Sequence, residues 1–146
     1  MLKEEFRLEL NQCINFLLTT AQNAVFRHLS ALLCPYGITP GQYGVLSCVW
    51  ACPGASPGQI AEQLHLEAST VSSLLDRMQK NGLIEREVDP ENRRGIRVVA
   101  TGKALALEPP VQEIIRQVND KVMAGFTDEQ CAALRTALIA ISELDL

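Results

Sequence analysis

The chain has 146 residues, 47% of them hydrophobic and 21% charged, and a formal net charge of −4 at neutral pH. That length supports one domain with a core of its own and leaves no room for a catalytic domain beside a second module. No apolar run approaches the ~18 residues of a membrane span, and the N-terminus MLKEEFRLELNQ lacks the apolar core and cleavage site of a secretory signal. A cytoplasmic protein without membrane association is expected.

Cys13, Cys34, Cys48, Cys52 and Cys131 are odd in number and form no C-x-x-C pair, which argues against a disulfide scaffold. Reduced thiols packed in the core are expected. Cys48 and Cys52 share a helical face, but neither His28 nor His65 completes a ligand pattern, so no metal and no cofactor are expected. The net charge conceals a segregation. Residues 1 to 56 carry three basic and three acidic side chains, residues 57 to 103 seven of each, and residues 104 to 146 three basic against seven acidic. All the excess acid therefore lies in the C-terminal segment, while residues 86 to 103 are locally basic, with Arg86, Arg93, Arg94, Arg97 and Lys103 against Glu87, Asp89 and Glu91. Phosphates within a Debye length respond to that local edge rather than to the whole-chain charge.

From Leu2 to about Leu33, apolar residues at three- and four-residue steps (Phe6, Leu10, Cys13, Leu17, Ala21, Ala24, Leu32) predict one long amphipathic helix, ended at Cys34-Pro35-Tyr36-Gly37. Three helix starts then share one capping grammar: Thr39-Pro40-Gly41-Gln42, Ser56-Pro57-Gly58-Gln59 and Thr127-Asp128-Glu129-Gln130. In each the hydroxyl accepts from the third helical amide and the Gln side chain reaches back to the cap. The first two also place Pro at the first helical position, where no amide bond is lost. Helices are predicted over about 40 to 51, 57 to 64 and 68 to 81, with His65-Leu66-Glu67 as the turn between the last two.

The 68 to 81 helix turns Val71, Leu74, Leu75 and Met78 inward, and Ser69, Thr70, Ser72, Ser73, Arg77 and Lys80 outward. Leu83 to Val88 and Ile96 to Ala100 are short β-branched segments around Asp89-Pro90-Glu91-Asn92-Arg93-Arg94-Gly95, a hairpin with a charged tip. Two more helices, about 101 to 124 and 128 to 144, complete the chain, the first interrupted or kinked at Pro109-Pro110. The fold class is thus mainly α with a small β-hairpin wing, a winged helix-turn-helix. Such a module inserts one helix into a DNA groove. Short hydroxyl side chains near the start of that helix suit base edges. Arg77 and Lys80 suit phosphate, Arg94 a narrow minor groove, and Arg93 a further phosphate.

The whole chain resembles the MarR (multiple-antibiotic-resistance regulator) family of bacterial winged-helix regulators. The resemblance is carried by Ile38-Thr39-Pro40-Gly41-Gln42-Tyr43, Ala68-Ser69-Thr70-Val71, Leu74-Leu75-Asp76-Arg77-Met78, Lys80 through Arg86, Asp89 through Arg94, Thr101-x-Lys103 and Met123 through Glu129. It implies a single domain over residues 1–146: dimerisation helices at 1–36 and 102–146, interlocked between two subunits, flank a DNA-binding region at 37–101. It also implies a homodimeric repressor that binds an inverted repeat in double-stranded DNA, with half-site centres ~10 base pairs apart. Here Asn92 stands where the family usually has Asp, and Glu67 where Asp often caps the recognition helix. The apolar run 130 to 144 (Cys131, Ala132, Leu134, Leu138, Ile139, Ile141) covers more than one helical face, which gives dimerisation a physical motive of its own.

Family members commonly release DNA on binding small aromatic acids. By that resemblance Phe16, Asn23, Arg27, His28, Tyr43 and Trp50 are the candidate effector residues, an apolar cleft with one cation suiting a carboxylate. Others respond to cysteine oxidation, for which Cys13 near the start of the first helix is the candidate. Two histidines, no nucleophile elbow and no phosphate-binding glycine loop leave nothing to carry enzymatic chemistry. The rival reading is a winged helix that binds protein rather than DNA, since fold alone does not set function.

Overall fold

The computed structural model describes residues 9–146. Its elements in order are α1 (Ile14–Leu33), a 3-10 turn (Cys34–Tyr36), α2 (Pro40–Ala51), α3 (Pro57–Leu64), α4 (Ala68–Lys80), β1 (Ile84–Val88), β2 (Ile96–Ala100), α5 (Gly102–Met123) and α6 (Asp128–Ser142). This is the mainly helical winged helix-turn-helix expected, with two departures at the long helices.

The first concerns the N-terminal helix. Glu9 and Leu10 are helical, but Asn11 and Gln12 turn, and Cys13 is extended (φ −84, ψ 108) before α1 begins at Ile14. The amides of Gln12 and Cys13 close three-residue turns onto the carbonyls of Glu9 and Leu10 instead of continuing the helical ladder. The expected stretch from Leu2 to Leu8, Phe6 included, lies outside the described residues. The second departure is at Pro109-Pro110: the helix is not interrupted there, and α5 continues through both residues. Proline there removes two ladder donors, so the carbonyls of Leu105 and Ala106 have no amide four residues on.

All three capping boxes form. Thr39, Ser56 and Thr127 accept from the amides of Gln42, Gln59 and Gln130 at 3.1 to 3.2 Å, and each Gln side chain accepts from its cap amide at 2.9 to 3.1 Å. These caps set where α2, α3 and α6 begin. From its cap, α2 runs through the centre of the domain: Val45, Leu46 and Val49 are buried, and the helix contacts α1, α3, α4, α5 and β2. Around it Leu33, Ile60, Val71, Leu75, Met78, Leu83, Ile84, Val98 and Val111 complete one continuous core.

The hairpin is antiparallel, with Ile84 opposite Ala100 and Val88 opposite Ile96. Its root is fixed by a bridge that periodicity could not show. Val98 donates to Ala55 O at 2.9 Å, and Gly54 donates to Val98 O at 3.1 Å, so the α2–α3 loop lies against β2 like a third strand. Gly54 takes φ +86 to do this, a region where a side chain would be strained.

Thr101 ties the second half to the first. Its hydroxyl donates to Gly82 O at 2.6 Å and accepts from the Ala104 amide at 3.3 Å as the cap of α5, while Lys103 Nζ donates to Asn81 O at 2.9 Å. Gly82 itself has φ +73, closing α4 in the left-handed conformation. Thr101→Val removes the cap and the bond to Gly82 together, and the expected loss of unfolding free energy in urea titration is ~1–2 kcal/mol. An unchanged midpoint would mean that water replaces both bonds.

Candidate nucleic-acid interface

The turn into α4 is sharp because His65 adopts φ 53, ψ 44, the single left-handed non-glycine residue among those described. Leu66 then donates to Ala61 O at 3.0 Å, which fixes the angle between α3 and α4. At its start Glu67 makes no side-chain capping bond, unlike the residues that open α2, α3 and α6. The first-turn amides of α4 therefore remain open to solvent or to a phosphate oxygen.

Val71, Leu75 and Met78 are each at most 1% exposed, and this anchors one face of α4 in the core. The opposite face presents Ser69, Thr70, Ser72, Ser73, Arg77 and Lys80, every one exposed. At the other end of the helix the Arg86 guanidinium reaches back from β1, donating to Gln79 Oε1 at 2.8 Å and to Asp76 Oδ1 at 2.7 Å. The pair is partly solvated and worth under about 1 kcal/mol, so its role is to orient α4 against the hairpin rather than to stabilise the domain.

The tip of the hairpin is shaped by its own side chains. Asn92 Oδ1 accepts from the Arg94 amide at 3.2 Å, Asp89 Oδ1 accepts from the Glu91 amide at 2.9 Å, and the Gly95 amide donates to Asn92 O at 2.8 Å. Asn92 thus orders the tip through the backbone, as an Asx turn does. A Cβ at Gly95 would come within 3.3 Å of Asn92 O and 3.4 Å of its side-chain nitrogen, tighter than that turn accommodates without moving. Arg93 and Arg94 are both exposed.

Ion pairs and side-chain hydrogen bonds sort the seven cations of residues 57 to 103 into two groups. Arg86 pairs with Asp76, Arg97 pairs with Glu87 across the strands at 2.8 Å, and Lys103 holds the Asn81 carbonyl. Arg77, Lys80, Arg93 and Arg94 make neither an ion pair nor a side-chain hydrogen bond among the described residues. The cations left free are the four that the sequence assigned to DNA.

The six expected effector residues do not converge on one cavity. Asn23 and Arg27 line a groove on α1 with Thr20 and Phe26. Tyr43 instead lines a cavity between α2 and α3, its ring 6.5 Å from that of Trp50. The Trp50 indole donates to Ala104 O at 3.2 Å, so it joins α2 to α5 as a structural group. Phe16 and His28 are half-buried on α1. A neighbouring cleft of about 310 Å³, lined by Phe26, Ser30, Cys34, Ile38, Thr39 and Pro40, was not foreseen. Ser30 Oγ is buried there without a hydrogen-bond partner. A lone serine in an apolar helix gives no periodic signal in the sequence.

The cysteines also differ from expectation. None is buried: Cys13, Cys34 and Cys52 are exposed, and Cys48 and Cys131 are intermediate. Cys13 sits at the start of α1 and Cys34 and Cys52 follow helix ends, positions where the chain meets solvent. Burial pushes the Cys48 thiol above its ordinary pKa, and the neighbouring Cys52 pushes it in the same direction.

A two-helix reader anchored by its inner face, followed by a hairpin with free arginines at its tip, defines a winged helix-turn-helix regulator. The profile of the MarR family matches residues 38–96, and a Bacillus subtilis HTH-type transcriptional regulator, YsmB, is 32% identical over 79% of this chain and 84% of its own. The chain belongs to the MarR family of transcriptional regulators. It is also similar to the organic hydroperoxide resistance transcriptional regulator of Bacillus subtilis, 28% identical over 96% of this chain and 92% of that one. Among solved structures, the repressor CouR bound to a 23-mer DNA duplex superimposes with a TM-score of 0.83 at 26% identity, covering 92% of this chain and 96% of that one. CouR from Rhodococcus jostii RHA1 bound to p-coumaroyl-CoA has the same fold, with a TM-score of 0.83 at 24% identity, covering 94% and 96%.

Proposed function

We propose that the chain is a cytoplasmic, non-enzymatic, homodimeric repressor that reads an inverted repeat and is released by a small aromatic or anionic effector. The observation that carries the DNA reading is the coincidence of one hydroxyl-rich exposed helix face with the four unpaired cations Arg77, Lys80, Arg93 and Arg94. Ser69, Thr70, Ser72 and Ser73 face the base edges in the major groove. Arg77, Lys80 and Arg93 hold phosphates, and Arg94 enters the minor groove. The single domain divides into a reader at 37–101 and dimerisation segments at 1–36 and 102–146. Support for the dimer comes from α6, which buries none of its residues and leaves Leu134, Leu138, Ile139 and Ile141 between 36% and 59% exposed.

For the effector, the α1 grooves suit an aromatic acid better than the set of six as a whole. Phe26 is shared by the groove that holds Asn23 and Arg27 and by the apolar cleft that holds Ser30. An acid placed there gives its carboxylate to Arg27 and its ring to the cleft, with the unpartnered Ser30 hydroxyl available to a phenolic group. Oxidation at Cys13 is the second reading, favoured by the exposure of that thiol at a helix start.

The test is fluorescence anisotropy of the protein against the DNA flanking its own gene, at several salt concentrations, beside a scrambled duplex. Preference for the native fragment with a steep salt slope is expected. Equal weak binding to both duplexes, repeated in a genome-wide DNA selection, would favour a winged helix that binds protein. Aromatic acids and peroxide added to the complex then separate the two release mechanisms, since the second is abolished by Cys13→Ser and the first is not.

A further inference from the structure

The cavity between α2 and α3 has a volume of about 900 Å³ and shares no lining residue with the proposed DNA-binding set. Two of its lining residues are Cys48 and Cys52, with Tyr43, Ala55 and Leu64 as apolar wall and Glu62 and Glu143 as acidic rim. The Cys52 amide donates to Cys48 O at 2.8 Å and closes the last turn of α2; Cys52 itself ends the helix with φ −134, ψ 80, and both residues line this one cavity, near enough for Cys52 to influence the Cys48 thiol.

That spacing decides what the pair can do. A direct disulfide demands Cβ atoms ~3.5–4.5 Å apart, while a single soft atom inserted between two sulfurs spans a wider range of separations. A soft metal ion would need both thiols ionised, which the raised pKa of Cys48 and the acidic rim oppose, and no group of three or more metal-ligating side chains exists among the described residues. A trivalent arsenical meets neither obstacle, because it condenses with neutral thiols and gives a neutral product.

We propose that Cys48 and Cys52 form a two-thiol receptor for a trivalent arsenical carrying an apolar substituent. The reaction balances as R–As=O plus two thiols giving R–As(S–)2 plus water: two As–S bonds form, the As=O bond is lost, both thiol protons leave with the oxygen, and no atom changes oxidation state. The substituent R lies in the cavity against Tyr43, Ala55 and Leu64. Neither Cys13, Cys34 nor Cys131 lines this cavity, so each is expected to bind arsenic through one sulfur only.

The probe is phenylarsine oxide, one equivalent against the full chain, read by intact mass and by titration of free thiols. One adduct that removes two of the five thiols is expected. It should resist a monothiol such as 2-mercaptoethanol about 100-fold better than a single-sulfur adduct, because the second bond is intramolecular, and it should be released by 2,3-dimercaptopropanol. Cys48→Ser and Cys52→Ser should each lose this resistance, while Cys13→Ser keeps it. Peptide mapping of the wild-type adduct gives a reading independent of how the variants fold, with arsenic expected on the peptide spanning residues 48 to 52. Arsenic mapped to any other cysteine, an adduct as resistant in both serine variants, or no monothiol-resistant adduct in the wild type overturns the proposal.

Discussion

Arg94→Ala is expected to weaken binding to the preferred DNA fragment by ~1–3 kcal/mol, roughly 5- to 150-fold, and to flatten discrimination at the base pairs beneath the wing. The size follows from the geometry of the tip. Arg94 is exposed, makes no ion pair, and stands on a turn that Asn92 holds in shape through the Arg94 amide. Its whole fork is therefore free for DNA. Arg97 supplies the internal comparison, being three residues away but bonded to Glu87 through both Nε (3.0 Å) and a terminal nitrogen (2.8 Å). Arg97→Ala should change affinity by no more than ~0.5 kcal/mol, as ordinary surface substitutions do. Arg93→Ala should weaken binding evenly across sequences and lower the salt slope by ~1. Anisotropy titrations of the three variants at four salt concentrations decide the matter. Equal losses for Arg94→Ala and Arg97→Ala would mean that the wing contributes bulk charge only.

A larger effect is expected from Leu138→Glu. Leu138 lies on α6, 42% exposed beside Leu134 and Ile141, on a helix that has no buried residue of its own. A carboxylate buried at a subunit interface is strongly unfavourable without a partner, so the variant should sediment as a monomer at concentrations where the wild type is a dimer. Losing the second reading head also removes the gain from binding two half-sites on one duplex, ~10²- to 10⁴-fold in affinity. Analytical ultracentrifugation and anisotropy on the same samples link the two results. A variant that stays dimeric with unaltered affinity would place the interface elsewhere than α6.

The legible parts of the fold are those where local chemistry and tertiary packing agree. Three hydroxyl-to-Gln boxes fixed three helix starts, because a cap is satisfied within four residues. The inward row Val71, Leu75 and Met78 left the outward face of α4 to be read directly. What sequence could not show depends on partners distant along the chain. Nothing near Gly54 and Ala55 announces that they will pair with Val98. Likewise the division of the cations into paired and free depends on Asp76 and Glu87 lying ten residues from Arg86 and Arg97. The cysteines depart from the usual burial of thiols because here they lie at helix ends or at the border of a cavity. Pro109 and Pro110 do not interrupt α5, whose residues Ala104, Val111, Ile114 and Val118 are buried on either side of them.

The wing is built as a stiff stem with a soft end. Its root is held by the ladder and by the bridge from Ala55 to Val98, but every backbone or side-chain hydrogen bond made by residues 89 to 95 stays within those seven residues, and the last ladder pair, Val88 and Ile96, is 64% and 48% exposed. The tip can therefore bend to follow the DNA without disturbing α4. An operator should accordingly tolerate changes of base sequence and groove width in its flanks far better than in the central positions under the helix. Promoters with divergent flanks would then fall to one regulator, graded in strength rather than switched between bound and unbound.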